Sequence, residues 1–181
     1  QVTDYTDVSS SAWYYDAAKY VTDKQLMSGE KPYVFGADEA LTRAEVASAL
    51  YNLAGQPKVE LASFTDVPVT HQARTAIAWA AKTGIMKGVG DNKFEPDRSV
   101  SREEIATLLT RQRKLSGVDV TADKNEVSAF VDSAKISSWA VDGVAYCTKS
   151  GLVKGNPGKV FAPAGNTTRA ELATIIQRIA A

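Results

Sequence analysis

Thr42-Arg43-Ala44-Glu45-Val46-Ala47-Ser48-Ala49-Leu50 decides the fold, because it returns as Ser101-Arg102-Glu103-Glu104-Ile105-Ala106-Thr107-Leu108-Leu109 and again as Thr168-Arg169-Ala170-Glu171-Leu172-Ala173-Thr174-Ile175-Ile176. Each copy opens with a hydroxyl residue three positions before a Glu, the signature of a capping box. The hydroxyl accepts from the amide at the third helical position, and the Glu reaches back to the amide of the cap. Apolar residues then recur at helical spacing: Val46, Ala49, Leu50 and Leu53; Ile105, Leu108 and Leu109; Leu172, Ile175, Ile176 and Ile179. One such stripe has nothing to bury itself against in an isolated unit. Three equivalent stripes can bury one another, so the pattern predicts an all-α fold with a central three-helix core and three peripheral lobes.

Upstream landmarks repeat in register with these boxes. Tyr5-Thr6-Asp7-Val8, Phe64-Thr65-Asp66-Val67 and Phe130-Val131-Asp132-Ser133 open the units, and the Asp-to-Arg spacing is 36, 36 and 37 residues. Glycines follow at Gly29, Gly88 and Gly155, and Phe35, Phe94 and Phe161 each stand six residues later. Four landmarks kept in register three times mean a tandem triplication. The units are 1–55, 60–115 and 126–181, expected to act as one cooperative domain. The pattern lapses at 54–63 and 116–129, where Gly, Pro and charged residues gather. Each unit reads as helix, loop, helix, with the first helix of unit one over about 12–26. Trp13, Ala17, Tyr20 and Val21 lie on one face of it.

The composition removes several classes of function. With 21 Lys+Arg against 21 Asp+Glu, the net charge is zero, which argues against whole-molecule attraction to nucleic acid or to anionic lipid. Any anionic partner must be held by local charges. Cys147 is the sole cysteine and His71 the sole histidine, so an internal disulfide and a Cys/His zinc cage are both excluded. Few Ser/His or Cys/His catalytic arrangements remain. The longest apolar stretch, Ala76 to Ala81, falls far short of the roughly 20 residues of a membrane span. Asp91-Asn92-Lys93 lacks the later ligands of a calcium loop. No cofactor is called for.

The capping boxes account for the Thr/Ser and the Glu but not for Arg43, Arg102 and Arg169. A cation at the first helical position meets the positive end of the helix dipole. Two readings are open: each Arg pairs with a local carboxylate, such as the recurring Asp7, Asp66 or Asp132, or each Arg and helix terminus make an anion site. Gly29, Gly88 and Gly155 read as positive-φ turns after the first helix, with close approach of backbone to a ligand as the alternative. Ser28, Lys87 and Lys154, just before them, could add donors. Phe35, Phe94 and Phe161 read as core plugs. Trp79 aligns with Tyr20 and Tyr146, while Trp13 and Trp139 open first helices; core packing accounts for most of these rings, and stacking on a sugar face is the alternative for Trp79 and Trp139. His71 reads as surface polar and Cys147 as a small buried hydrophobe.

These units resemble S-layer homology (SLH) repeats. The marks are an aromatic-x-Asp-Val opening, a Gly-Ile-Met-Lys-Gly turn at 84–88, Phe94-Glu95-Pro96, and the Thr-Arg-Ala-Glu motif. The likeness spans nearly the whole chain in three units, the usual number. It implies a pseudo-trimer with a central three-helix bundle and three prongs, non-catalytic, secreted to the bacterial cell surface and fused to a larger surface protein. It further implies binding to the secondary cell-wall polymer linked to peptidoglycan, in grooves between repeats, through a terminal N-acetylmannosamine carrying a pyruvate ketal. No nucleic acid and no membrane insertion are implied. The family's motif Arg carries over to Arg43, Arg102 and Arg169, and its groove Asp and Gly to Asp7, Asp66, Asp132, Gly29, Gly88 and Gly155. The chain departs from the pattern at Ala37, which replaces Pro, and at Tyr5, Glu103 and Ser133. Because Glu103 adds a negative charge beside Arg102, the Arg102 groove is expected to contribute least. A helical protein–protein scaffold, with the Arg residues in structural salt bridges, is the alternative. A two-carboxylate glycosidase is disfavoured, since catalysis needs one asymmetric constellation and repetition supplies equivalent ones.

Overall fold

A computed structural model describes residues 4–181; the expected start of repeat 1, residues 1–3, lies outside them. The described residues form six α-helices, and their only β-type pairings are isolated bridges. In chain order the helices are α1 (Tyr15–Asp23), α2 (Arg43–Leu53), α3 (Arg74–Lys82), α4 (Arg102–Leu115), α5 (Val141–Lys149) and α6 (Arg169–Ala180). Two 3-10 turns, Lys124–Ala129 and Ser133–Lys135, occupy the longer junction before α5.

The second helix of each repeat starts where the sequence sets it. Thr42, Ser101 and Thr168 accept from the amides of Glu45, Glu104 and Glu171, and all three carboxylates reach back to the cap amides. The first helices carry no side-chain cap and are nine residues each, so α1 is shorter than the 12–26 expected. They end where the backbone turns left-handed, at Gln25 (φ 57°), Gly84 (φ 75°) and Gly151 (φ 72°). The next amides fold back onto the helix, as Met27 does onto Val21 O and Met86 onto Ala80 O. The positive-φ role expected of Gly29, Gly88 and Gly155 therefore belongs to positions four residues earlier.

Those three glycines serve the alternative of close approach, but to protein rather than to a ligand. A Cβ at Gly29 would come within 2.7 Å of the Tyr5 ring, at Gly88 within 3.1 Å of Phe64, and at Gly155 within 2.6 Å of Phe130. Each of these rings tilts against the loop Phe of its own repeat, with centroids 5.3, 5.5 and 5.2 Å apart. Phe35, Phe94 and Phe161 are fully buried, as expected of core plugs.

The repeats close into a ring. Leu41 N donates to Thr167 O, Thr167 N to Val100 O, and Val100 N back to Leu41 O. Each second helix also gives its first two amides to the loop of the next repeat: Arg43 and Ala44 to Arg98 O and Pro96 O, Arg102 and Glu103 to Gly165 O and Pro163 O, Arg169 and Ala170 to Glu39 O and Ala37 O. Helix terminus donors that would otherwise be orphaned thus become the joints between repeats. The helices follow the same order, the main pairs being α2 on α3, α4 on α5 and α6 on α1.

Small residues permit that closeness. Gly143 of α5 sits where a Cβ would lie 2.9 Å from Thr107 Cα, and the aligned Ala17 and Ala76 are buried. The second helices instead turn branched side chains inward: Val46 and Leu50, Ile105 and Leu109, Leu172 and Ile176 are at most 1% exposed and belong to one core. Helices facing each other through such side chains stand further apart than helices meeting through Ala and Gly. Cys147 is buried in the same core, and burial pushes its thiol up to about 12.

Candidate functional site: the grooves between repeats

Arg43, Arg102 and Arg169 are buried to 7, 5 and 4% exposure, each reaching from its helix into the next repeat. Nε donates to the loop Phe carbonyl: Arg43 to Phe94 at 2.8 Å, Arg102 to Phe161 at 2.7 Å, Arg169 to Phe35 at 2.8 Å. Nη2 donates to the carbonyl of the residue before the groove glycine: Lys87, Lys154 and Ser28 respectively. Ser28, Lys87 and Lys154 therefore supply backbone acceptors to the arginines, whatever their side chains add. The guanidinium also lies over the Phe ring, 4.5, 5.4 and 5.3 Å from its centroid. Among the described residues, the amides of Gly29, Gly88 and Gly155 find no acceptor within the chain. Each remains a free donor on the peptide whose carbonyl the Arg holds.

The carboxylate partners of the arginines are not the recurring aspartates. Asp7 accepts from the amides of Phe35 and Gly36, Asp66 from Phe94 and Glu95, and Asp132 from Phe161 and Ala162, at 2.7–2.9 Å. Burial pushes each Asp carboxyl up, and the backbone amides outweigh it, holding all three below the ordinary value of 3.8. They pin the loop that carries Phe, and so act on the groove from behind. The partners are the capping glutamates of the next repeat: Arg102 Nη1 meets Glu171 Oε1 at 2.6 Å, and Arg169 Nη1 meets Glu45 Oε1 at 2.7 Å.

Glu103, expected to crowd Arg102, does not. It is buried against the start of the next repeat, where its carboxylate accepts from Ser137 N and Ser137 Oγ, both at 2.8 Å. Glu103 therefore does not weaken the Arg102 groove. Trp79 is also displaced from the site: it is 4% exposed and packs on Tyr51, with centroids 5.7 Å apart. Trp139 is 56% exposed and lines a groove.

Each groove draws on more than one repeat. A cleft of about 230 Å³ brings together Arg43, Lys87, Gly88, Thr107, Arg111 and Trp139. A wider one of about 830 Å³ joins Arg169, Ser28, Gly29, Glu45, Asn52 and Gln72. Half-buried His71 also lines it, with Nδ1 accepting from Ala73 N. Asn52, Arg111 and Arg178 lie outside the repeated motifs. They stand nine residues after the motif arginines and donate to the carbonyls of Leu26, Ile85 and Leu152. Their constant spacing was the available signal.

Threefold joints, each with a buried arginine at its groove, recur around the ring, and comparison with known proteins gives the family. The S-layer homology domain matches residues 4–47, 63–106 and 129–173. The chain belongs to the S-layer homology domain family, with three tandem repeats, and is a non-catalytic cell-surface anchoring module. It is 33% identical over 168 residues to an amylopullulanase of Thermoanaerobacterium thermosulfurigenes, covering 91% of this chain and 9% of that protein. It is 32% identical over 168 residues to exoglucanase XynX of Acetivibrio thermocellus, covering 91% of this chain and 15% of the other. With S-layer protein sap of Bacillus anthracis, 28% identity extends over 176 residues, 96% of this chain and 21% of that one. The chain thus spans less than a quarter of the length of each of these relatives.

Proposed function

We propose that this module fastens a larger surface protein to the cell wall by binding the peptidoglycan-linked secondary polymer, its three repeats acting as one domain. The bound terminus is a pyruvate-ketal N-acetylmannosamine, seated in the grooves between repeats with its carboxylate toward Arg43, Arg102 or Arg169. The free amides of Gly29, Gly88 and Gly155 add donors, and exposed Trp139 offers a face for the sugar ring. The observation that carries this reading is a buried arginine at a helix N-terminus in each groove, fixed by two carbonyls, with its third nitrogen free in the Arg43 groove and on a capping Glu in the other two. The aspartates act indirectly, by holding the loop.

Binding to purified cell-wall sacculi, lost when the polymer is stripped, tests the anchoring. A soluble pyruvylated sugar should bind more tightly than its pyruvate-free counterpart by one charge-assisted contact, about 1.5–3 kcal/mol. Equal affinities exclude the carboxylate site. The scaffold alternative draws support from the Arg102–Glu171 and Arg169–Glu45 pairs, which satisfy those arginines without a ligand. Sacculi that bind equally well with and without polymer would favour it.

A further inference from the structure

The three grooves are not equivalent, and one side chain outside the repeated motif makes them differ. Arg102 and Arg169 each spend Nη1 on the capping Glu of the next repeat. The counterpart for Arg43 is Glu104, yet Glu104 Oε1 lies 3.0 Å from Arg98 Nη1, while its Oε2 stays on the cap amide of Ser101 at 2.9 Å. Arg98 is itself steadied by Glu95, Nε to Oε2 at 2.9 Å. Among the described residues, Arg43 Nη1 has no partner, although Arg43 is 93% buried by its 7% exposure and lines the 230 Å³ cleft. Arg98 stands four residues before its motif arginine, where the other repeats have Glu39 and Gly165. Neither offers a cationic side chain to draw the capping carboxylate away, so the device belongs to one joint alone.

We propose that Arg98 is a positioning residue that opens the Arg43 groove: it holds Glu104 off Arg43, leaving the Nη1 N–H pair of an otherwise buried arginine free for a ligand carboxylate. The Arg102 and Arg169 grooves are latched, since an incoming anion must first displace Glu171 or Glu45. The open groove is also more cationic than the Arg169 groove. Lys87 and Arg111 flank it, and its one carboxylate is neutralised by Arg98, whereas the Arg169 groove holds Glu45 with Asn52 in place of the second arginine. The proposal rests on the reading that these grooves take an anionic sugar end. It orders them with Arg43 first and Arg169 last.

The test separates the device from that reading. Amide NMR titration with a synthetic pyruvylated N-acetylmannosamine reports each groove through Gly29, Gly88 and Gly155, and the Gly88 signal should saturate first. Arg98→Ala frees Glu104 to close onto Arg43, which should weaken binding at Gly88 about tenfold and leave Gly29 and Gly155 unchanged. Adding Glu104→Gln, which keeps the cap acceptor but removes the charge, should restore it. Unchanged Gly88 affinity in Arg98→Ala, or no restoration in the double variant, overturns the proposal. Without ligand, the guanidinium resonances of Arg43 should shift in Arg98→Ala and return in the double variant; if they stay still, Arg98 does not position Glu104. If they shift while wild-type protein binds no sugar at any groove, the device stands and the anionic-sugar reading falls.

Discussion

Replacing Arg169 by alanine should cost far more than a ligand contact. The side chain is 5% exposed and donates to Glu45, to Phe35 O and to Ser28 O, all in a repeat more than a hundred residues away. Removing one partner of a buried pair typically costs about 3–5 kcal/mol. Glu45 keeps 31% of its side chain exposed, so water can partly replace the guanidinium and the loss should lie near 3 kcal/mol. Arg43→Ala removes the same two carbonyl contacts and the same ring contact but strands no carboxylate. Its cost should be smaller by one charged hydrogen bond, roughly 1.5–3 kcal/mol. In urea, with a slope of about 2 kcal/mol/M, the two midpoints should differ by about 1 M. Circular dichroism and tryptophan fluorescence should agree on both. Equal midpoints, or a less stable Arg43→Ala, would refute the claim that the inter-repeat Glu pairs are structural joints. The comparison also governs how alanine variants are read in sugar binding, because a weakened ring and a lost contact both lower affinity.

Gly155→Ala should destabilise by about 1–3 kcal/mol through overpacking against Phe130, while Gly151→Ala costs only the strain of its left-handed φ, about 1 kcal/mol; thermal melts of the pair would separate the two mechanisms. Asp132 has a folded pKa below 3.8, so its stabilisation is complete above that value and is lost as pH falls through the lower folded one. Asp132→Asn should therefore be less stable at neutral pH and lose less on acidification, as urea midpoints taken across the acid range would show; a parallel acid limb would count against the amide-pinning role. Trp139→Ala should weaken sugar binding without moving the melting temperature, and Trp79→Ala should do the reverse, by about 3–5 kcal/mol of stability.

What the sequence made legible was set by short-range spacing. The capping boxes of α2, α4 and α6, the buried loop phenylalanines and the burial of Cys147 follow from residues within one or two turns of each other. The partners of the arginines were hidden because each lies in the next repeat, and only the register of the closed ring brings Glu45 to Arg169 or Glu171 to Arg102. Gly29, Gly88 and Gly155 were misread for a different reason. Glycine serves equally for a left-handed turn and for close approach, and the chain runs four residues past the left-handed turn before the ring packs on it. Glu103 was placed near the ligand on adjacency alone; on a helix, adjacent residues point in different directions, and Glu103 faces Ser137 while Arg102 faces Glu171. Trp79 was a candidate only as an aromatic aligned with Tyr20 and Tyr146, and a ring suits a core as well as a sugar face. Arg98 was not legible because it breaks the repeat, and a residue that only one unit carries leaves no mark in what the units share.

The ring has three joints that are alike in geometry but unlike in the chain they enclose. Arg43 and Phe94 are 51 residues apart and Arg102 and Phe161 are 59, but Arg169 and Phe35 are 134. Loop-closure entropy grows as the logarithm of that length, so the third joint costs about 0.9 kcal/mol more to close than the first. It should be the last to form, after the two sequential joints have brought α6 near repeat 1. During synthesis the carbonyls of Ser28, Phe35, Ala37 and Glu39 wait for the second helix of the third repeat. The wider groove is consequently completed only when the whole module is present, so an unfinished chain carries at most the two sites its own order allows.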